Sequence, residues 1–465
     1  MMNRLLWTLT VIGLIACDEP TPNLPLPSDQ GVDQVIQIGR EEEMKHGVDQ
    51  GIADLDQGMT ASDSSSTSDD AQSSQPEPSP TSWATSLSLS TRGVDQALGL
   101  DCLPNHNLVI AGRTEGALLD SSSAGGADGF VALIDDARAV TWLRQLGTPD
   151  VDQFLDVVYH PQNVIIAGGF STGDFGGEFN QQFMDGVLVA LQPDGEVLWQ
   201  KLLNLGTVNR LIPTPGGVIA VGASDLGGGD FAAFIAEYDL NGVRRWVQML
   251  NSPTYDSATS TTLVNDTLYV TGFTMGSITE QLSQDHNDMF IAALSLTGDV
   301  IWIREFGTDG DDAPVRISHD DQGLIVAGYT SGLFGERAYG GNDVAVLKVD
   351  YNGDLIWKTQ WGTEGSESAY GLATSSSGQI LLSGRVDEAS WDDRPNPSGD
   401  AFIMAISAEG DHVGVWQYGS TGRDEFVDLC LSQDLVNIAG YTGGRGEDLD
   451  ILIDRIGALG AEREY

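Results

Sequence analysis

In its second half the chain reads Leu324-Ile-Val-Ala-Gly328, then Asp343-Val-Ala-Val-Leu-Lys-Val349, then Asn352-Gly-Asp-Leu-Ile-Trp357. These runs are short and largely apolar, and Gly, Asn and Asp residues separate them, which is typical of β-strands joined by turns. Their order is a strand that ends in Gly, a strand that opens with Asp, and a strand that holds Trp. The same order recurs along the chain, so it indicates a repeated β-unit.

The repeat occurs seven times between Leu98 and Tyr465, each time with a further, polar-flanked strand in front. One four-stranded sheet has two apolar faces and buries neither alone, whereas a ring of such sheets buries both. We therefore predict an all-β, seven-bladed β-propeller of four-stranded blades, in which Trp packs between blades and Gly serves tight turns. The Gly-ending runs are Leu108–Gly112, Val164–Gly168, Val218–Gly222, Leu268–Gly272, Leu324–Gly328, Ile380–Gly384 and Val436–Gly440; the fourth strands hold Trp142, Trp199, Trp246, Trp302, Trp357 and Trp416.

The last unit lacks its Trp strand, because the sequence there is the polar Ala461-Glu-Arg-Glu-Tyr465. A strand-like run, Ser82-Trp-Ala-Thr-Ser-Leu-Ser-Leu89, stands before the first unit without a partner of its own. Pairing this N-terminal strand into the last blade would close the ring by hydrogen bonds and remove an exposed sheet edge. We predict that residues 82–465 form one propeller closed in this way.

The unit resembles the bacterial β-propeller repeat family of secreted and surface proteins. The resemblance rests on Gly328-Tyr-Thr-Ser-Gly332, Gly341–Asp350, Asn352–Trp357 and Trp361-Gly-Thr363, and it extends over the chain after residue 81. It implies the propeller architecture and an exported location. It implies no catalytic activity, because one fold serves many functions.

The N-terminus resembles a bacterial lipoprotein signal. Met1-Met-Asn-Arg4 is positively charged, Leu5–Ala16 is apolar but too short for a permanent span, and Leu14-Ile-Ala-Cys17 has the form of a lipobox. The resemblance implies a signal peptide over residues 1–16 and lipidation of Cys17, with palmitate-like chains that anchor the protein outside the cytoplasm. The predicted location is the bacterial cell envelope, periplasmic or at the cell surface. The alternative is an ordinary secretory signal with a chance Cys.

Residues 17–81 have the composition of a linker. No Phe, Tyr or Trp lies between Asp18 and Ser82, and Ser, Asp and Pro are abundant, as in Gln75-Pro-Glu-Pro-Ser-Pro80. So little apolar surface cannot offset the entropy lost on folding. We predict a disordered, acidic tether between the lipid anchor and the propeller.

The charge balance excludes one class of partner. The chain has 22 Lys and Arg against 68 Asp and Glu residues, a formal net charge of −46. Such a surface repels nucleic acid and anionic lipid headgroups. We therefore predict no nucleic-acid partner.

Cys102 and Cys430 occupy the same site on the first strand of the first and seventh units, each ten residues before the Gly that ends the second strand. Those blades become neighbours when the ring closes. In an oxidising compartment the pair could form a disulfide across the closure, provided that the Cα atoms come within about 7 Å. The alternative is two reduced, buried thiols that pack as small apolar groups.

The sequence supports no catalytic, metal-binding or cofactor site. The six His residues form no cluster, and Gly169-Phe-Ser-Thr-Gly173 matches a hydrolase motif only by chance, because Ser171 stands where other units have Thr. Acidic residues recur in the links between blades, and we interpret them as a solvated rim, with weak binding of a divalent cation or a basic partner as the alternative. The rim candidates are Asp150, Asp152, Asp309, Asp311, Asp312, Glu364, Glu367, Asp424 and Glu425.

The long connections between second and third strands emerge on the face that also carries the links between blades. Loops on a rigid scaffold commonly carry function, so this face is the predicted binding surface for a protein or glycan partner. The predicted function is an exported, lipid-anchored binding or scaffold module rather than an enzyme. Two alternatives remain: a propeller enzyme of the hydrolase, lyase or quinone-cofactor type that uses carboxylates in the central funnel, and an adhesin.

Overall fold

The computed structural model of the chain describes residues 87–180, 184–279, 286–387, 391, 398–433, 435–443 and 449–456. The predictions for the signal peptide, for Cys17, for the linker and for residues 82–86 lie outside the described residues. Within the described ranges, 28 β-strands form seven antiparallel sheets of four strands each. These ranges contain no helix with the length and hydropathy needed to cross a bilayer.

Six blades are built from four strands that follow one another in the chain. Blade 1 contains β2 (Asp95–Cys102), β3 (Leu108–Thr114), β4 (Asp128–Ile134) and β5 (Val140–Leu146), and blade 2 contains β6 (Asp152–His160), β7 (Val164–Ser171), β8 (Asp185–Leu191) and β9 (Val197–Leu202). Blade 3 contains β10 (Thr207–Thr214), β11 (Gly217–Gly227), β12 (Asp230–Tyr238) and β13 (Arg244–Leu250), and blade 4 contains β14 (Asp256–Val264), β15 (Thr267–Thr274), β16 (Asp288–Ser295) and β17 (Val300–Phe306). Blade 5 contains β18 (Asp312–His319), β19 (Leu324–Thr330), β20 (Asp343–Val349) and β21 (Leu355–Trp361), and blade 6 contains β22 (Ser366–Thr374), β23 (Ile380–Asp387), β24 (Asp400–Ile406) and β25 (His412–Tyr418).

Blade 7 takes its fourth strand from the other end of the propeller sequence. It contains β26 (Asp424–Ser432), β27 (Leu435–Gly443) and β28 (Leu449–Ile456), and β1 (Leu87–Leu89) completes it. The pairing of β1 with β28 is antiparallel, with Leu87 opposite Ile453 and Leu89 opposite Ile451. The predicted closure of the ring by an N-terminal strand is therefore confirmed.

The first strand of each blade lies innermost, because these strands contact one another from blade to blade around the ring. Each innermost strand has a β-bulge at the same level, where one residue has no partner on the second strand. The recurrent Gly lies beside this bulge. A Cβ on Gly112, Gly222 or Gly272 would stand 1.9, 1.8 or 2.1 Å from a carbonyl oxygen of the innermost strand, closer than such atoms can approach.

Two predictions about this Gly are wrong. The Gly lies inside the second strand rather than in a tight turn, since the bulged innermost strand comes too close for any side chain. In blade 2 the equivalent residue is Gly169, opposite Phe154, and not Gly168, which lies opposite Asp156 on the far side of the bulge. A Cβ on Gly169 would stand 2.0 Å from the Gln153 oxygen.

The apolar core lies between adjacent blades. One cluster joins Ile110 and Phe130 of blade 1 to Ile451 and Ile453 of blade 7, and it includes Leu89 of β1. The Trp of the fourth strand contributes to these contacts as predicted: the Trp142 ring packs against Gly195 in a hairpin of blade 2, and its Nε1 donates a hydrogen bond to the Pro193 oxygen at 2.8 Å. Gly195 has a φ of 83°, so this hairpin Gly does serve a tight turn.

Candidate functional site

Buried carboxylates fasten the start of most innermost strands. Asp152 accepts hydrogen bonds from the Thr148 backbone N–H at 2.5 Å and hydroxyl at 2.9 Å, and a third from the Ser171 hydroxyl at 2.5 Å. Asp312 and Asp424 are held in the same way by Thr308 and Ser420, each four residues earlier. Burial raises the pKa of Asp152, and these hydrogen bonds oppose the rise. The carboxylates therefore have a structural role, and Ser171 serves as a hydrogen-bond donor to one of them.

The predicted acidic rim is not a single exposed surface. Asp150, Asp309 and Glu364 are exposed, and Asp311 is partly exposed. The other five candidates are buried at the starts of innermost strands, because each accepts hydrogen bonds or ion pairs there. Within the described ranges, no three His, Cys, Asp or Glu side chains are placed to hold a metal ion. The buried members are Asp152, Asp312, Glu367, Asp424 and Glu425.

One of these buried carboxylates, Glu425, lies at the start of the innermost strand of blade 7, on the side of the long loops. It is 1% exposed and pairs with Arg385 at 3.2 Å and with Arg423 at 3.0 Å. Burial, and to a lesser degree the Glu425 charge, raises the pKa of nearby Tyr370 to about 12. The cluster joins blades 6 and 7 and leaves Arg423 partly exposed on this face.

Four charged side chains meet in the channel at the level just after the bulges. The guanidinium of Arg210 in blade 3 lies 3.0 Å from Asp156 in blade 2 and 2.8 Å from Asp428 in blade 7, so it reaches across the ring. Arg316 in blade 5 comes to 3.8 Å from Asp428. Burial raises the pKa of Asp156 to about 6, although the Arg210 charge opposes this rise. Two carboxylates in the funnel are thus occupied by Arg210, which is not the open pair that a glycosidase requires.

A cavity of about 560 Å³ opens above this charged floor, on the side of the turns between first and second strands. Asp101 stands on its wall and accepts a hydrogen bond from the Tyr159 N–H at 2.8 Å. Burial raises the pKa of Asp101 to about 7, and the negative charge of Asp156 adds to the rise. Asp101 therefore titrates near neutral pH inside the cavity.

Sequence reasoning missed this cavity and its charges. The residues that follow the bulges of the seven innermost strands are Gly99, Asp156, Arg210, Ser260, Arg316, Gly371 and Asp428. The available signal was a charged residue inside an innermost strand at the same place in four units. It was overlooked because the bulge breaks the alternation by which inward-facing positions are usually recognised.

A disulfide joins Cys102 on β2 to Cys430 on β26 in the structure, with Cα atoms 5.9 Å apart. The innermost strands of blades 1 and 7 are therefore close enough for a bridge. The seam between these blades also contains ion pairs, from Arg138 to Asp454 at 3.0 Å and from Arg455 to Asp136 at 2.7 Å. Covalent and ionic contacts thus reinforce the blade in which β1 is paired.

The long-loop face exposes large apolar side chains. In blades 1, 2 and 5, the connection between second and third strands carries Leu119, Phe179 and Leu333, and in blade 3 Leu226 lies at the end of β11, next to the corresponding turn. Each of these side chains is more than half exposed, and Phe179 reaches 73%. The register places these connections at the end where the innermost strands begin, because Asp95 pairs with Thr114 and Asp152 with Ser171. They lie on the face opposite the cavity.

Seven four-stranded antiparallel blades closed into a ring define this chain as a seven-bladed β-propeller. It matches no established protein-family profile. Over 161 residues, 33% of this chain, it is 26% identical to the regulatory protein FlaEY of Caulobacter vibrioides, and the matched part is 16% of that protein.

Solved structures of similar fold include the WD40 β-propeller domain of Doa1, at 13% identity, with 79% of this chain and 95% of that chain covered and a TM-score of 0.45. Puromycin hydrolase is similar at 14% identity, with 76% of this chain and 51% of that chain covered and a TM-score of 0.48. The propeller fold is compatible with binding and does not by itself indicate catalysis.

Proposed function

We propose that this protein is an exported member of the bacterial β-propeller repeat family that is anchored through a lipid on Cys17 and binds a partner protein through its long-loop face. The sequence features in support are the signal-like residues 1–16, Cys17 and the linker composition of residues 17–81. The observation that carries the binding role is the set of exposed apolar side chains on that face, namely Leu119, Phe179, Leu226 and Leu333.

These exposed apolar side chains indicate that this face binds another protein rather than staying in contact with water. Large apolar groups on loop connections gain stability only when another surface covers them, and apolar anchors commonly dominate protein interfaces. The rigid ring holds the loop ends in fixed positions, so little ordering entropy is lost when a partner docks. The partly exposed Arg423, which precedes the innermost strand of blade 7 and pairs with Glu425, supplies a polar contact on the same face.

The binding role can be tested by site-specific photo-crosslinking of the full-length protein in intact bacteria. A benzophenone amino acid is placed at Phe179 or at Leu333 on the long-loop face, and at Ile301 or Ile356 on outer strands as exposed apolar controls. We expect the two loop positions to give the same crosslinked partner and the outer-strand positions to give little of it. Equal yields at all four positions would contradict the assignment of this face.

The lipid anchor can be tested separately with Cys17→Ser. We expect the wild-type protein to incorporate labelled palmitate and to sediment with membranes, and the variant to lose both properties. A control variant, Cys102→Ala/Cys430→Ala, removes the other two cysteines as a pair, so that no unpaired thiol is created and the proposed acylation site stays intact. Unchanged membrane association of Cys17→Ser would show that another feature retains the protein, and a wild-type protein that neither incorporates palmitate nor sediments with membranes would indicate an ordinary secretory signal.

A further inference from the structure

The guanidinium of Arg316 at the floor of the central cavity is incompletely paired. Among the described residues, its only hydrogen bond runs from Nη1 to the Val315 oxygen of the same strand, at 3.2 Å. Its Nε is buried and has no hydrogen-bond acceptor, and the nearest carboxylate oxygen, on Asp428, lies 3.8 Å away. A buried donor without an acceptor costs free energy unless a ligand or water supplies one.

Arg210 beside it is fully engaged. Its guanidinium is shared between Asp156 and Asp428, and both of those carboxylates are 1% exposed. Burial, together with the positive charge of Arg210, lowers the pKa of Arg316 to about 10, so its positive charge is poorly compensated. The unused capacity for binding an anion at the cavity floor therefore belongs to Arg316.

The rest of the cavity has the shape and lining of a small-molecule site. Its volume of about 560 Å³ falls in the range of roughly 300–1,000 Å³ that is usual for such pockets. Leu100, Ile212 and Leu372 give it apolar walls, and Asp101 offers an acceptor for a hydroxyl or amino group. A ligand could thus be oriented by three contacts: its charged end with Arg316, its apolar body with these walls, and a donor group of its own with Asp101.

We infer that this cavity binds a small organic monoanion whose carboxylate is held by Arg316. A carboxylate matches the planar guanidinium and supplies the acceptors that Arg316 lacks. A cation is disfavoured because Asp156 and Asp428 already bind Arg210. Large polyanions are disfavoured by the net charge of −46. The site lies on the face opposite the proposed partner surface, so it is a second binding function.

The test uses full-length protein, isothermal titration calorimetry and thermal unfolding. Benzoate and D-glucuronate are the probes, and benzyl alcohol and D-glucose are their neutral counterparts. The variant Arg316→Gln removes the charge at the floor, while Arg245→Gln removes a charge from the outer strand β13, where Arg245 is half exposed and lies 3.6 Å from Glu237. Leu372→Trp narrows the cavity and leaves Arg316 in place.

We expect at least one of the two carboxylates to bind the wild-type protein and to raise the melting temperature of the protein. The neutral counterpart of that carboxylate should bind with an affinity lower by about tenfold or more. Arg316→Gln and Leu372→Trp should each weaken that binding by a similar factor, whereas Arg245→Gln should not. Partner crosslinking at Phe179 should survive Arg316→Gln, which separates this site from the proposed partner surface. Absence of carboxylate binding up to about 20 mM, or equal affinity in Arg316→Gln, would overturn the inference.

Discussion

The recurrent Gly of the second strand is set by steric contact rather than by turn conformation. Its Cβ position is occupied by a carbonyl oxygen of the bulged innermost strand in every blade, and in blade 2 this applies to Gly169. The neighbouring Gly168 differs, because its Cβ position meets side-chain atoms of Val208 and Leu188, at 2.9 and 3.1 Å. Blades 1, 5 and 7 carry Ala at the level of Gly168, which shows that a Cβ can be accommodated there.

We therefore expect Gly169→Ala to destabilise the protein far more than Gly168→Ala. The first substitution forces backbone apart and should cost about 3 kcal/mol, at the upper end of overpacking effects, while the second should cost less than about 1 kcal/mol. Urea denaturation of both variants, followed by tryptophan fluorescence, gives the comparison. If both variants had the midpoint of the wild type, the innermost strand could move away from the new Cβ without loss of stability.

Asp101 should make the stability of the protein fall as pH rises from about 4 to about 7. Its pKa in the folded protein is about 7, above the ordinary value of 3.8, so the folded state holds a proton that the unfolded chain releases. Stability from this residue is present below about pH 4 and is lost as pH rises towards 7. Because the side chain is partly exposed, we expect a loss of about 1–2 kcal/mol rather than the full value of the shift.

The variant Asp101→Asn should remove this pH dependence. The stability of the variant minus that of the wild type should therefore be larger at pH 8 than at pH 4. Asp266→Asn, on an exposed hairpin, is the matched control and should leave the wild-type profile unchanged. Urea midpoints between pH 4 and pH 8 measure the effect. A parallel profile for Asp101→Asn and the wild type would rule out Asp101 as its source.

The strand β1 has only three described residues, yet it closes the ring. Leu89 at its end is 6% exposed and packs in the cluster shared by blades 1 and 7, whereas Ser88 is exposed. The sequence predicted this pairing correctly, because the last unit lacked a fourth strand and an unpaired one stood in front of the first unit. Hydrogen bonding between β1 and β28 gives the last blade its fourth strand and gives the N-terminal strand a partner.

We predict that Leu89→Ala costs about 2–4 kcal/mol, the usual price of a buried Leu, and that Ser88→Ala costs little. Loss of packing at β1 should also expose the edge of β28, so limited proteolysis should cut the Leu89 variant faster. Melting temperature and the rate of cleavage are the two measurements. If both variants behave like the wild type, β1 does not contribute to closure as the structure implies.

The strand order and strand boundaries followed well from the sequence, but the bulges did not. A bulge skips one residue of the innermost strand and reverses the facing of those that follow, and nothing in the composition of Asp152–His160 marks the skipped position. The position of Arg210 and Arg316 at the axis therefore cannot be read from the alternation of their strands. Asp152 and Asp424 precede the bulges, and they are buried for a different reason: Thr148 and Ser420, each four residues earlier, donate hydrogen bonds to them.

Around the ring, contacts at the axis and at the closure seam act over long distances in sequence. Arg210 connects blade 3 to blade 7 through Asp428, and Cys102 is bridged to Cys430 across 328 residues. The first contact holds blade 3 to blade 7, and the second holds blade 1 to blade 7. Without them these blades could separate when the ring opens.

We propose that the Cys102–Cys430 bridge forms in the exported protein and stabilises the closed ring by about 2–4 kcal/mol. Reductant should lower the melting temperature of the wild type and leave a Cys102→Ala/Cys430→Ala double variant unaffected. Calorimetric melting with and without dithiothreitol, together with thiol labelling under denaturing conditions, measures this. A wild-type protein that labels fully without reductant would contradict the bridge.

The sequence alone determined the repeated β-unit, the number of blades and the closure by an N-terminal strand, because these depend on local patterns of apolar, Gly and Asp residues. Which carboxylates are buried, and which charges meet at the axis, depends on contacts between blades that the sequence does not reveal. Arg210, Arg316, Asp156 and Asp428 come from four different blades. Their proximity depends on the bulges and on ring closure, which no local pattern encodes.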